Sequence, residues 1–165
     1  MKKELQTITH TFEPIFDENS KILILGTFPS VKSREGEFYY HHKQNRFWKV
    51  ISSLTKEELP ETIEDKKNML LKHQIALWDV IHQCDIYGSS DSSIKNVIPN
   101  DINLILKDCN IETIIANGEK AFQLYNKYCL PNTERECIKM PSTSPANAVW
   151  TLERLLEAWR QVLKG

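Results

Sequence analysis

Short apolar runs alternate with amphipathic stretches along this chain, and each apolar run ends in a polar cluster. Lys21 to Leu25 predicts a first strand. From Asn45, the residues Phe47, Trp48, Val50, Ile51 and Leu54 recur at helical spacing and predict a first helix. Pro60-Glu61 opens a second helix to about His73, with Ile63, Met69, Leu70 and Leu71 as apolar positions. Ile75 to Trp78 predicts a second strand, ending at Asp79, and a polar loop rich in glycine and serine follows over Asp85 to Ser93. Asn100-Asp101 caps a helix through about Asp108. Ile111 to Ala116 is a β-branched run and predicts the third strand, ended by Asn117-Gly118. A helix follows from Glu119 to about Cys129, then a fourth strand over Glu136 to Met140. The loop Pro141 to Asn147 leads to a final amphipathic helix, Trp150 to Leu163. Residues 1–20 read as an irregular arm, apolar at Phe12, Ile15 and Phe16.

Strands that alternate with helices imply an α/β fold whose parallel sheet is covered on both faces. The polar clusters GTFPS, the loop after Trp78-Asp79, Asn117-Gly118 and PSTSPAN each follow a strand. In a parallel sheet these strand ends share one edge, and open α/β sheets bind ligands beyond that edge. Four clusters far apart in sequence can thus build one site.

At 165 residues the chain is expected to be a single domain over 1–165, with 1–20 as its N-terminal arm. A net charge of −1 argues against a purely electrostatic nucleic-acid binder. It leaves room for an enzyme that holds phosphates with a local patch and backbone N–H groups. Lys32, Arg34, Lys43, Arg46 and Lys49 give the first motif such a bias. The apolar runs are too short to span a membrane. The start, MKKELQTITHTF, carries no apolar signal region, so a cytoplasmic location is expected. The 4 cysteines show no C-x-x-C spacing, and reduced, partly buried thiols are expected.

The clusters carry chemistry suited to a flat, uncharged, hydrogen-bonding ligand such as a nucleobase. Asn117 offers both a donor and an acceptor, as a base edge does; the plain reading is a turn and a helix cap. Ser142, Thr143 and Ser144 lie between two prolines, in a stiff loop whose hydroxyls suit phosphate oxygens or serve the loop itself. Of Tyr39 and Tyr40, an extended segment sends one ring inward and the other outward, so one can stack on a base. The adjacent His41 and His42 point apart and have no partner at metal-ligand spacing; one of them can line the site or meet a phosphate. Asn45 can cap the first helix or hold a water. Asp79 reads as a brace for its loop, and Asp91 with Ser89, Ser90, Ser92 and Ser93 supplies further candidates. There is no G-x-S-x-G elbow, no P-loop and no G-x-G-x-x-G.

Taken in order, GTFPS, FYYHHKQNRFW, IALWDVI-x-x-C, GSSDSSI, ANGEKA and PSTSPANA resemble the uracil-DNA glycosylase superfamily, and within it the deoxyinosine (hypoxanthine-DNA) glycosylase branch. The resemblance covers about Lys21 to Trp159. It implies a three-layer α/β/α sandwich around a four-stranded parallel sheet. It further implies a monomer, free of metal or other cofactor, that flips a deaminated base out of DNA and hydrolyses its N-glycosidic bond. Phe28 stands where the mismatch-specific branch carries a water-holding Asn; the deoxyinosine branch lacks that Asn too, and its essential Asn corresponds to Asn45. By the same resemblance Tyr40 matches the stacking ring, Asn117 the base reader, and Gly26, Thr27 and Phe28 the base pocket. Ser30, Ser142, Thr143 and Ser144 fall among the DNA-facing positions, and Pro145-Ala146-Asn147 matches the loop that wedges into the duplex. A mismatch-dependent uracil or thymine glycosylase and a non-catalytic damaged-DNA binding module are the alternatives.

Overall fold

Seven strands are present among the described residues, 5–10 and 12–163 of this computed structural model: β1 (Gln6–Thr9), β2 (Ile22–Gly26), β3 (Ile75–Asp79), β4 (Ile81–Ile86), β5 (Lys95–Pro99), β6 (Thr113–Asn117) and β7 (Ile138–Met140). Residues 1–4 and 11 of the expected arm, and 164–165 of the expected domain, lie outside the described residues. The parallel sheet runs β3-β2-β6-β7, with helices on its flanks in the α/β/α arrangement. Its register sets Gly26 beside Asp79 and Asn117 beside Met140. The carboxyl ends of β2, β3 and β6 therefore deliver Gly26, Asp79 and Asn117 to one edge. Leu23, Ile24, Leu25, Ala76, Leu77, Ile114 and Ile115 are buried on these strands, the continuous apolar composition of a sheet covered on both faces.

The helices are α1 (Val31–Gly36), α2 (Phe47–Thr55), α3 (Ile63–Lys72), α4 (Asn103–Leu106), α5 (Glu119–Leu124), α6 (Leu130–Thr133) and α7 (Leu152–Arg160), with a π-helical turn, Tyr125–Cys129, joining α5 to α6. Thr62 and Thr151 cap α3 and α7 by accepting from Asp65 and Arg154 N–H groups. The apolar stripe of α2 packs its buried Phe47, Trp48, Val50 and Ile51 inward, and α2 lies against α7. Trp159 of α7 is fully buried, and its indole N–H donates to the Pro141 carbonyl at 3.0 Å. The last helix thereby fixes the start of the PSTSPAN loop.

The antiparallel sheet β1-β4-β5 departs from the expected plan. The arm is strand at Gln6–Thr9, paired with Gln83 to Ile86. The expected loop Asp85–Ser93 surrenders its first two residues to β4 and holds a 3₁₀ turn at Asp91–Ser93. Both misreadings have one cause. β1 and β5 are mostly exposed, β4 interleaves its buried Ile81, Cys84 and Ile86 with polar residues, β5 is broken by register shifts against β4, and Asn96 has a left-handed φ of 54°. Long-range pairing, rather than a local apolar period, makes them strands. The expected cap at Asn100-Asp101 is also different. Asn100 is buried, and its Nδ2 donates to the Asp79 and Ile81 carbonyls at 2.9 and 3.2 Å, while only Asp101 receives a helix-entry N–H, from Asn103 at 3.2 Å.

Candidate active site

A cavity of about 320 Å³ opens at the shared strand edge, within the size range of small-ligand sites. Gly26, Thr27, Phe28, Ser30, Tyr40, Asn45, Asn117, Ser142, Thr143, Ser144 and Ala146 line it. The four clusters after β2, β3, β6 and β7 thus meet. Asn147 sits in an adjoining groove with Lys120 and Lys139, and Pro145 lines neither. His41 and His42 stay outside: the His41 ring packs on Gly36, and His42 Nδ1 accepts from the Gln44 N–H at 3.1 Å.

One hydrogen-bonded chain crosses the cavity wall. Asn45 Oδ1 accepts from the Phe47 N–H at 2.9 Å, so it covers a free donor at the entry to α2. The same oxygen accepts from the Thr143 hydroxyl at 2.9 Å. With its oxygen engaged twice, the Asn45 amide offers the cavity its Nδ2 donors. Thr143 Oγ1 in turn accepts from Asn117 Nδ2 at 3.1 Å, and the Thr143 N–H donates to Asn117 Oδ1 at 3.1 Å. Asn117 Nδ2 also donates to the Tyr40 hydroxyl at 3.2 Å. Both donors of Asn117 are therefore used inside the protein, and one lone pair of its oxygen is left for a ligand. Thr143, grouped above with DNA-facing residues, is fully buried and links the two asparagines instead.

The neighbouring hydroxyls are used differently. Ser142 Oγ accepts from the Ser144 N–H and Ser144 Oγ from the Ala146 N–H, at 3.1 and 3.2 Å. Each keeps its own O–H proton for an outside acceptor such as a phosphate oxygen. Ser30 caps α1 by accepting from Ser33 N–H at 3.1 Å. Gly118 has φ of +103°, and a Cβ there would lie 3.0 Å from Ser142 Cβ, so glycine lets the loop close over the end of β6.

The two tyrosines separate cleanly. Tyr39 is buried and donates its hydroxyl to the Glu13 carbonyl at 2.9 Å, tying down the N-terminal segment. Tyr40 turns the other way through a left-handed φ of 51°. Such a conformation is uncommon outside glycine and is held here by the surrounding contacts. Its ring stacks on Phe47, centroids 4.1 Å apart. Burial first, and then the nearby Asp79 carboxylate, push the Tyr40 phenol well above the ordinary tyrosine range, so it stays protonated. Phe28 sits near both the His10 ring, edge-on at 6.1 Å, and the Arg34 guanidinium at 5.9 Å.

The basic bias of the first motif is turned partly inward. Arg46 donates to the carbonyls of Ser144 and Asn147 at 2.8 and 3.1 Å, and also to those of Thr143 and Trp150. Its guanidinium staples the whole 143–150 loop to the start of α2. Arg34 donates to the Gly88 carbonyl at 2.7 Å, and burial lowers its pKa. Asp79, read above as a brace, is buried with one carboxylate oxygen on His10 Nε2 at 2.8 Å, and it lines the cavity. Asp91, Ser89 and Ser90 line it too. Among the described residues no group of three His, Cys, Asp or Glu side chains is placed to hold a metal.

The model of the uracil DNA glycosylase superfamily matches residues 13–163. The chain belongs to the uracil-DNA glycosylase superfamily. A hypoxanthine DNA glycosylase of Methanosarcina acetivorans is 33% identical over 95% of this chain and 99% of that protein. One from Methanosarcina barkeri is 35% identical over 67% of this chain and 71% of its own. The solution NMR structure of a Methanosarcina acetivorans protein assigned as a uracil DNA glycosylase superposes with a TM-score of 0.82 at 31% identity, covering 96% of this chain and 98% of that one. DNA is accordingly the partner of this superfamily member. Its sequence hid the staple role of Arg46 and the participation of His10. Arg46 looked like one more cation in a basic loop, and the only trace of His10 is the alternation of Thr7, Thr9 and Ile8 before it.

Proposed function

We propose that the chain is a monofunctional DNA glycosylase that removes a flipped, deaminated base, hypoxanthine above all, and leaves an abasic site. The observation that supports this most strongly is the chain Asn45–Thr143–Asn117–Tyr40, which joins three motifs around one cavity. The names of the two Methanosarcina relatives point to the same lesion. Deaminated bases pair weakly, so flipping them costs least.

In the proposed reaction the C1′–N bond breaks with its electron pair moving to the base, and positive charge builds on the sugar as in other glycoside hydrolyses. The protonated Tyr40 hydroxyl and backbone N–H groups around Phe28 stabilise the departing base. Asn45 Nδ2 donates to one lone pair of a water, leaving the other to attack C1′. The water's proton passes to the base or to solvent, so no lysine nucleophile and no metal are needed. Ser142 and Ser144 hydroxyls meet backbone phosphates, and the 145–147 loop enters the duplex. The protein works as a cytoplasmic monomer and as a single domain.

The test is cleavage of labelled duplexes carrying one inosine, uracil or xanthine, followed by hot alkali. Scission at inosine, with abasic product, supports the proposal. A folded protein that binds the inosine duplex without releasing hypoxanthine would make it a binding module. Preference for U:G or T:G duplexes over inosine would assign it to mismatch repair, which Phe28 in place of a water-holding Asn argues against.

A further inference from the structure

One buried charge in the cavity is not used by the reaction above. Asp79 ends β3 beside Gly26, and its side chain is 5% exposed. Oδ2 is held by His10 Nε2 at 2.8 Å, while His10 Nδ1 accepts from the Phe12 N–H at 3.1 Å. An N–H pointing at Nδ1 requires that nitrogen to be bare, so the ring presents an Nε2 proton to the carboxylate. Asp79 Oδ2 is therefore the acceptor in this pair. Asp79 Oδ1 accepts from no described residue and lies against the Gly26 Cα: a Cβ there would clash with it and lie 2.8 Å from the Tyr40 hydroxyl. No Lys or Arg among the described residues pairs with this carboxylate. Asp79 lines the cavity, so this oxygen is an acceptor available to a ligand donor there.

We propose that Asp79 reads the base: Oδ1 accepts the ring N–H that lies next to the carbonyl of a deaminated base, and His10 is the positioning residue that fixes the carboxylate. This rests on the glycosylase reading above. Asn117 Oδ1 already accepts from the Thr143 N–H and keeps a single lone pair, whereas Asp79 Oδ1 accepts from no described residue and is the less committed acceptor for a ring N–H. Asp79 is a carboxylate at the required edge. Hypoxanthine, uracil and xanthine all carry an N–H beside a carbonyl. Adenine and cytosine present a lone pair at that ring nitrogen, which the carboxylate repels. A site built around such a hydrogen bond rejects analogues lacking it far more strongly than an apolar pocket can.

The test compares two duplexes made uncleavable by a 2′-fluoroarabino sugar, one bearing hypoxanthine and one bearing purine, which lacks both the ring N–H and the carbonyl. Binding is measured for the wild type and for Asp79→Asn. The wild type is expected to favour the hypoxanthine duplex. Asp79→Asn is expected to lose about ten- to a hundredfold in affinity for it, the range of a hydrogen bond to a charged group, with no loss and up to a severalfold gain on purine, whose bare ring nitrogen the carboxylate repels. Equal losses on both duplexes would show a structural role and overturn the proposal, as would a wild type with no preference. Unchanged selectivity with lost excision would move Asp79 to the chemical step and also overturn it. Should Asp79→Asn fail to fold, the unaltered protein decides: the His10 Nε2 proton resonance is expected to shift with the hypoxanthine duplex and not with the purine duplex. The glycosylase reading fails separately, when wild-type protein leaves ordinary inosine duplexes intact.

Discussion

The two sides of the cavity spend their polar groups in opposite ways. On one side Asn45, Thr143, Asn117 and Tyr40 bond mainly to one another, and Arg46 locks the loop behind them. On the other, Asp79 gives one oxygen to His10 and leaves the second unmatched by any described residue. The closed side resembles a preorganised framework: its geometry is set before substrate arrives, and only selected donors remain for the ligand. The open side keeps an acceptor free for a ligand. Preorganisation serves the transition state, whereas a free acceptor serves selection among bases. Substitutions on the closed side should therefore mix folding and rate, and those on the open side should act on choice.

Asn45 breaks the closed side most severely. Asn45→Ala removes the donor to the proposed water and the acceptor for both Phe47 N–H and Thr143. Excision should fall by roughly a hundred- to a thousandfold, the scale seen when a single transition-state donor is removed. Stability should fall by about 1–2 kcal/mol as the Phe47 N–H and the Thr143 hydroxyl lose their acceptor. Asn45→Asp separates the two losses, because an aspartate oxygen still receives both protons while the Nδ2 donor disappears. Single-turnover excision with urea unfolding should show low activity at near wild-type stability. An active Asn45→Ala protein would remove Asn45 from the chemistry.

Arg46 comes next. Arg46→Lys keeps the charge but cannot fork to the carbonyls of residues 143, 144, 147 and 150. A destabilisation of about 2–3 kcal/mol is expected, together with faster amide exchange at Asn147 and Trp150. Slow exchange throughout the loop would mean that Trp159 and Pro141 hold it alone. Thr143→Val has nearly the same shape and leaves one Asn117 donor buried and unpaired. It should cost about 1–3 kcal/mol. It also frees a lone pair on Asn45, so any change in excision that exceeds the stability loss would reveal a reoriented amide.

Why these residues differ in legibility follows from how far each contact reaches. The strands β2, β3 and β6 announce themselves through apolar runs, and their parallel order with β7 brings GTFPS, Asn117 and PSTSPAN to one edge by geometry alone. The Asn45 side chain is readable as a cap or as a water holder; Arg46 occupies the cap position of α2, and Asn45, one residue earlier, accepts from the Phe47 N–H while lining the cavity. Thr143 was placed on the DNA side because a hydroxyl between prolines looks exposed; its burial depends on Asn45, 98 residues away in sequence. His10 follows a polar stretch whose brief alternation, Thr7-Ile8-Thr9, buries no side chain of its own. It reaches Asp79 only because β1 pairs with β4, across a separation of about 70 residues that no local pattern encodes.

The smallest effect is expected at Tyr40, where the closed and open sides meet. Tyr40→Phe keeps the stack on Phe47 and removes one acceptor from Asn117, whose second Nδ2 proton still reaches Thr143. The stability cost should be about 1 kcal/mol. Excision should fall only several-fold if the hydroxyl assists the departing base alongside backbone N–H groups. Its titration supplies the sharper check. Burial, then Asp79, raise the folded phenol pKa above that of the unfolded chain, about 10. Below that pH the hydroxyl is protonated in both states and contributes no pH dependence. Above it the unfolded chain releases the proton while the folded protein holds it, so stability falls as pH rises. Tyr40→Phe should flatten part of that alkaline loss, and Asp79→Asn should flatten it less, since the carboxylate is the second cause and burial the first. An alkaline stability curve unchanged by Tyr40→Phe would place the phenol in ordinary contact with water and open the closed side of the cavity.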